Sequence, residues 1–226
     1  MKKILLAPSI LSANFSILGK EIKNVLDAGA DIIHFDVMDN HYVPNLTFGP
    51  MVLESIRKFN ISCPIDVHIM AKPVDTLIPL FAKAGATFIT IHPESTYHLN
   101  RTLDLIKDYG CKVGIALNPT SSIDVLDYII EKLDLILVMS VDPGYPKQKF
   151  IFNVVKKISK IKKKIRLSKR EIYVSVDGGV KMCHIYSLLK AGTDIFVMGS
   201  YIFRNSNYQF VIKKIREKIN SFYIKK

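Results

Sequence analysis

Eight short β-rich runs alternate with amphipathic segments along the 226 residues, one unit every 28 residues or so, the density of βαβ repeats. The runs fall at 4–8, 31–37, 65–69, 87–91, 112–117, 135–139, 172–176 and 194–198. The segments 17–26, 51–59, 74–83, 99–109, 123–132, 150–161 and 182–190 keep helical apolar spacing, and a last one covers 208–222. One connection recurs. Ala28-Gly29-Ala30-Asp31, Ala84-Gly85-Ala86-Thr87 and Ala191-Gly192-Thr193-Asp194 each end a helix and lead into a strand, and Gly110 does so before Lys112. A glycine just past a helix takes the left-handed conformation that satisfies the last carbonyls. Gly29 and Gly85 lie 56 residues apart, two units, and Gly85 and Gly192 107 apart, close to four. No linker or composition break divides the chain. The pattern therefore predicts one α/β domain over 1–226, folded as a single (β/α)8 TIM barrel. Periodicity alone does not close a barrel, and an open doubly wound sheet shares the alternation.

Composition narrows the class. Apolar residues make up 49% and charged residues 23%, which excludes a disordered or fibrous chain. Three cysteines form no C-x-x-C pair and read as reduced thiols, consistent with a cytoplasmic protein. No run approaches the roughly 18 apolar residues that span a bilayer, so no membrane partner is expected. The N-terminal Lys-Lys-Ile-Leu-Leu-Ala has the flavour of a secretion signal, but Pro8 and Ser9 interrupt it and it reads equally well as a first strand.

The net charge of +12 is uneven: residues 1–155 hold 14 basic and 16 acidic side chains, residues 156–226 hold 18 and 4. Nine of the fifteen residues in 156–170 are basic. Ile158, Ile161 and Ile165 keep helical spacing beneath them, so the run reads as a solvated helix face. No nucleic-acid motif accompanies it, and the expected anionic partner is a phosphorylated small molecule rather than nucleic acid.

A parallel strand buried on both faces should be a continuous apolar run. These strands begin so and then carry polar groups toward their C-terminal ends: Ser9, His34 and Asp36, His68, His92, Asn118, Ser140, Asp177 and Ser200. In a barrel that end is the active-site mouth. Capping or turn duty accounts for Ser9, Asn118 and Ser140. It does not account for His34, Asp36 or Asp66-Val67-His68, which interrupt strands and need partners when buried. His34 and Asp36 point to one face, about 6–7 Å apart along their strand, with His68 level on the next and Asp177 closing the seventh. Two imidazoles and two carboxylates suit Zn²⁺, Fe²⁺ or Mn²⁺ better than Ca²⁺. Asp142-Pro143-Gly144, Asp177-Gly178-Gly179 and Met198-Gly199-Ser200 each follow a strand directly, where backbone N–H groups can reach a phosphate.

With these residues in view, the chain resembles the ribulose-phosphate 3-epimerase family nearly end to end. The resemblance is carried by Ala7-Pro8-Ser9-Ile10-Leu11-Ser12-Ala13, His34-Phe35-Asp36-Val37-Met38-Asp39-Asn40-His41-Tyr42-Val43-Pro44-Asn45 and Pro64-Ile65-Asp66-Val67-His68-Ile69-Met70. It continues in Met139-Ser140-Val141-Asp142-Pro143-Gly144, Val176-Asp177-Gly178-Gly179-Val180 and Met198-Gly199-Ser200-Tyr201-Ile202-Phe203. It implies a TIM barrel of the ribulose-phosphate-binding type that interconverts D-ribulose 5-phosphate and D-xylulose 5-phosphate in the pentose phosphate pathway. A six-carbon substrate such as allulose 6-phosphate is the alternative. By position the family's metal ligands fall on His34, Asp36, His68 and Asp177, and its acid/base pair on Asp36 and Asp177. The implied cofactor is one divalent ion per chain, Zn²⁺, Fe²⁺, Mn²⁺ or Co²⁺, with no organic group, and the implied assembly is a homo-oligomer. The substrate-binding set is Ser9, His68, Gly144, Lys147, Gly178, Gly179, Gly199 and Ser200, and Met38, Met70 and Met139 match thioethers lining the site. One departure stands out. The family usually reads Gly-Phe-Gly-Gly-Gln after strand 6, where this chain has Gly144-Tyr145-Pro146-Lys147-Gln148. Pro146 has no N–H to donate; either the Lys147 ammonium partly replaces the missing amides, or it points to solvent and Gly178, Gly179, Gly199 and Ser200 suffice.

Overall fold

The computed structural model describes residues 3–144 and 148–224. Its strands are β1 (Leu5–Ala7), β2 (Ile33–Met38), β3 (Ile65–Met70), β4 (Phe88–Ile91), β5 (Lys112–Leu117), β6 (Leu135–Met139), β7 (Tyr173–Asp177) and β8 (Ile195–Val197). They pair in parallel as one sheet in the order β1-β8-β7-β6-β5-β4-β3-β2. The two end strands meet. The Leu6 carbonyl accepts from the N–H groups of Asp31 and Ile32 at 3.0 and 3.2 Å, and the Pro8 carbonyl from that of His34 at 3.0 Å. A parallel bridge between Ser9 and His34 completes the seam. Pro8 has no N–H to return, so the ladder thins to single contacts here. The sheet is thus a barrel, and the open-sheet alternative is excluded.

Helices wrap it: α1 (Leu18–Asp27), α2 (Pro50–Lys58), α3 (Ile78–Lys83), α4 (Leu99–Asp108), α5 (Leu126–Ile129), α6 (Val154–Ser168), α7 (Ile185–Ala191), α8 (Ser200–Phe203) and α9 (Tyr208–Ile224). Gly29, Gly85 and Gly192 take φ of 104, 102 and 103°, as the recurring connection requires. Period-two alternation sorts the strand residues into two layers. Ile33, Phe35 and Val37 of β2 join the apolar layer beneath the helices. Ala7, Ala116, Leu135, Leu137, Ile195 and Val197 form a second apolar cluster on the other face of the sheet, inside the barrel. His34 and Asp36 share the inward parity of that second layer, nearer the mouth.

The basic segment departs from its expectation in two ways. It stays helical to Ser168 rather than stopping at 161, because Ile165 continues the buried stripe, and it ends on Lys169 in the left-handed conformation, where no glycine marks the stop. It is also less solvated than a charge run suggests. The Lys157 ammonium donates to the carbonyls of Asn118, Pro119 and Ser121 at 2.6, 2.7 and 2.8 Å, and Lys162 pairs with Asp194 at 2.5 Å. Helix α8 is too short for periodicity to have revealed it. No described helix is long and apolar enough to cross a membrane.

Candidate active site and metal centre

The register of β2 against β3 pairs Asp36 with His68 and His34 with Asp66, so four ionisable side chains come level on adjacent strands. Asp177, at the end of β7, faces them from beyond β8 and β1. Ligand atoms of His34, Asp36, His68 and Asp177 all lie within 4.8 Å of one another. His34 Nε2 sits 3.3 Å from Asp36 Oδ1 and 3.8 Å from Asp177 Oδ2, and His68 Nδ1 lies 3.3 Å from the same Asp36 oxygen. His34 Nε2 is fully buried and has no hydrogen-bond partner among the described residues. An imidazole nitrogen aimed at one buried and one partly exposed carboxylate belongs to a donor set that a divalent transition metal takes.

Each ligand is itself held. Asp66 Oδ2 accepts from His34 Nδ1 at 3.0 Å, which fixes a ring proton there and leaves Nε2 as the atom a bound cation would take. Asp66 is steadied in turn by the Thr90 hydroxyl, which donates to Oδ1 at 2.6 Å. Thr90 fits because its register partner on β5 is Gly114, where a Cβ would stand 2.2 Å from the Thr90 hydroxyl and 3.0 Å from its Cα. The Ser9 hydroxyl donates to Asp36 Oδ2 at 2.5 Å. Ser140 donates from its backbone N–H and its hydroxyl to the Asp177 carbonyl, at 2.6 and 2.7 Å. On the far side of the cluster, His68 Nε2 and His92 Nε2 are 2.8 Å apart.

The charges respond to this crowding. Burial works against ionisation of Asp36, yet the His34 and His68 imidazoles hold its carboxyl far below the usual range. Burial and the Asp36 charge push Asp177 up to about 6, against the pull of both imidazoles. Burial alone would lower His34; the carboxylates of Asp36 and Asp66 overcome it and hold the ring well above its ordinary value. Burial, with His68 alongside, drives His92 well below. Two carboxylates this close need a balancing positive charge, and a divalent cation or an imidazolium can supply it.

Above the cluster opens a cavity of about 690 Å³, large enough for a sugar phosphate. Asp36 and Asp177 form its floor with Ser9, and Met38, Met70 and Met139 give it apolar, polarisable sides. Gly144, Gly178, Gly179, Gly199 and Ser200 form one wall. Gly178 has φ 112°, and a Cβ there would meet the Val141 backbone nitrogen at 2.9 Å, so that stretch admits no side chain.

Residues 5–203 match the Ribulose-phosphate 3 epimerase family. The chain belongs to that family. It is 59% identical over 219 residues to the ribulose-phosphate 3-epimerase of Buchnera aphidicola subsp. Acyrthosiphon pisum (strain APS), covering 97% of this chain and 96% of that protein. Identity to the ribulose-phosphate 3-epimerase of Escherichia coli (strain K12) is 52%, covering 97% of each. Among solved structures the chain is similar to KGPDC from Streptococcus mutans, with TM-score 0.71, 14% identity and 99% and 100% of the two chains covered. It is also similar to 3-hexulose-6-phosphate synthase from Salmonella typhimurium, with TM-score 0.67, 16% identity and 97% and 99% covered. At such identities these two show a shared fold alone.

In this member of the ribulose-phosphate 3-epimerase family, the structure brings His34, Asp36, His68 and Asp177 together and sets Ser9, Gly144, Gly178, Gly179, Gly199 and Ser200 around one cavity. His68 is fully buried within the cluster and does not line that cavity. Lys147 lies outside the described residues. The ends of its loop are clasped, with the Gln148 amide donating to the Asp142 carbonyl and the Asp142 N–H returning a bond to Gln148 Oε1 at 3.2 Å. Sequence reasoning gave no role to Asp66, Thr90, Gly114 or His92, and did not see Arg204, which lines the cavity just past the Gly199–Ser200 wall. For Asp66 and His92 a signal existed: both are polar residues within or at the end of an otherwise apolar strand.

Proposed function

We propose that this chain interconverts D-ribulose 5-phosphate and D-xylulose 5-phosphate by inverting C3, with Asp36 and Asp177 as the acid/base pair. The observation that carries the reading is a pair of carboxylates, Asp36 buried and Asp177 partly exposed, at the floor of a sugar-phosphate-sized cavity in a chain of this family. Inversion next to a ketone removes a proton from one face of C3 and returns one to the other, which calls for two groups that can each hold a proton on opposite sides of the sugar. Asp36 on β2 and Asp177 on β7 approach the floor from different sides of the barrel.

His34, Asp36, His68 and Asp177 would hold one divalent ion, with Zn²⁺, Fe²⁺, Mn²⁺ and Co²⁺ the candidates. When bound, the ion supplies the positive charge that an enediolate needs. The remaining work belongs to the side chains. Ser9 orients the Asp36 carboxylate by its 2.5 Å bond and contacts the sugar. Met38, Met70 and Met139 keep water off C3 without competing as hard ligands. The glycine wall and Ser200 offer backbone N–H groups to the phosphate, with Lys147 the remaining proposed contact, whereas His68, buried beneath the cavity, serves the cation rather than the sugar. The relatives' names favour the five-carbon ketose phosphate over the six-carbon alternative. The proposal extends to one domain over residues 1–226 working as a cytoplasmic homo-oligomer.

The test is isotopic. The protein, incubated with D-ribulose 5-phosphate in D₂O, should place deuterium at C3 of both epimers, read by NMR. Absence of exchange in metal-replete protein would overturn the assignment.

A further inference from the structure

The two imidazoles of the cluster are supported in different ways. His34 leans on a carboxylate, Asp66, whereas His68 leans on another imidazole. His92 follows β4, is fully buried, and brings its Nε2 to 2.8 Å from His68 Nε2, with ring centroids 5.0 Å apart and planes inclined by 33°. Two ring nitrogens at that separation bond only if one carries a hydrogen and the other a lone pair. The direction of this one bond decides what His68 can do. If His92 donates, His68 carries its own proton on Nδ1, the atom that faces Asp36 at 3.3 Å, and no lone pair is left for a cation. If His92 accepts, the His68 proton sits on Nε2 and the Nδ1 lone pair points into the cluster.

We infer that His92 is a positioning residue that accepts the His68 Nε2–H and so holds His68 in the one tautomer able to ligate a cation through Nδ1. The inference rests on the metal-site reading above and adds a residue to it. Three further features bear on it. The His92 ring is boxed in by the Tyr42 ring, at 5.0 Å between centroids, and the Tyr42 hydroxyl accepts from the Asn118 amide at 3.1 Å, so the acceptor cannot swing away. Asp36, Asp66 and Asp177 already crowd this region with carboxylates. A neutral acceptor orients His68 without a fourth, which a second aspartate at this position would add. The inferred direction also puts the His92 proton on Nδ1, a fully buried atom with no hydrogen-bond partner among the described residues. Leaving that donor unpaired is a cost of the arrangement, and a packing residue of the same shape without polar atoms would avoid it.

The test reads metal binding, not turnover. Metal-stripped protein is titrated with Zn²⁺ against a chromophoric chelator, and with Co²⁺ while the visible absorption is followed. His92→Leu removes the acceptor and should weaken Zn²⁺ binding by about 10–100-fold and alter the Co²⁺ band. His92→Gln, whose carbonyl oxygen can accept near the Nε2 position, should stay within about threefold of wild type, since it restores the bond without the ring. Wild-type affinity and an unchanged Co²⁺ band in His92→Leu would overturn the inference. So would a loss in His92→Gln as large as that in His92→Leu. Should His92→Leu not fold, ¹⁵N-histidine spectra of the Zn²⁺-loaded wild-type protein decide. They should show His92 protonated on Nδ1, and protonation on Nε2 would refute the proposal. Wild-type protein that binds no Zn²⁺ would overturn the metal site itself along with this inference.

Discussion

The two ends of the cavity are made of different material. At the floor, the proposed function falls to side-chain atoms: Asp36, Asp177 and the imidazoles behind them, each fixed by a named partner. At the wall the proposed contacts are backbone, and Gly178, Gly179 and Gly199 line the cavity without a side chain of their own. The difference sets where a substitution should act. Changing the floor removes a reacting or ligating group and lowers kcat, whereas changing the wall displaces the phosphate and raises KM.

The largest effects should come from the floor. Asp36→Asn and Asp177→Asn would each remove a proposed acid/base group and a proposed charged ligand at once, and kcat should fall by about a thousandfold or more. Metal content measured beside C3 exchange separates the two losses. A variant that keeps its ion should exchange the C3 proton of one epimer and not the other. Near wild-type turnover in either variant would dissolve the contrast between floor and wall. Exhaustive chelation should abolish turnover, and Zn²⁺, Fe²⁺, Mn²⁺ or Co²⁺ should restore it. The same metal-free protein should still bind inorganic phosphate at the wall, measurable by protection of its thermal transition.

Ser9 lines the floor, bonded to Asp36, and is also the proposed sugar contact. A hydrogen bond to a charged group contributes about 1.5–3 kcal/mol, so Ser9→Ala should lower kcat about tenfold or more. If Ser9 serves mainly the sugar, KM moves instead. The split between kcat and KM in this variant therefore reports which of the two the residue serves.

The same division explains what could be read before the structure. The floor was legible because His34, Asp36 and His68 break apolar strands at period two, an anomaly that burial makes costly. Strands β5 and β6 fell where the pattern put them, since their apolar runs are bounded by turns. What was hidden depends on register and three-dimensional approach. That Asp66 serves His34, and that Gly114 exists to admit Thr90, follows from which residues face one another across strands. Lys157 looked like one lysine of a solvated run, and its capture by three carbonyls comes from how α6 meets the loop after β5. The wall was legible only as glycines in turns, because amide directions are not written in residue types.

Arg204 offers the finest test of the comparison, being a side chain at the backbone end. It ends the four-residue helix α8, which Gly199 and Ser200 begin, and lines the cavity from an exposed position. Its guanidinium makes no ion pair among the described residues, although Glu and Asp side chains elsewhere on the surface find lysines. Arg204 and Lys181 both line the cavity on the side of the glycines, and Asp142 offsets part of their charge, so under the proposed reading a small positive balance there would favour the phosphate toward the wall. Because the group is exposed, water and salt screen it, and its share is small. Arg204→Ala should raise KM about threefold at low salt and leave kcat unchanged, with the difference shrinking above roughly 0.15 M ionic strength. Arg204→Glu should double the effect in free-energy terms, to about tenfold, because it reverses the charge rather than deleting it. Were kcat to fall instead, Arg204 would act on the floor, and the division of labour between side chain and backbone would have to be redrawn.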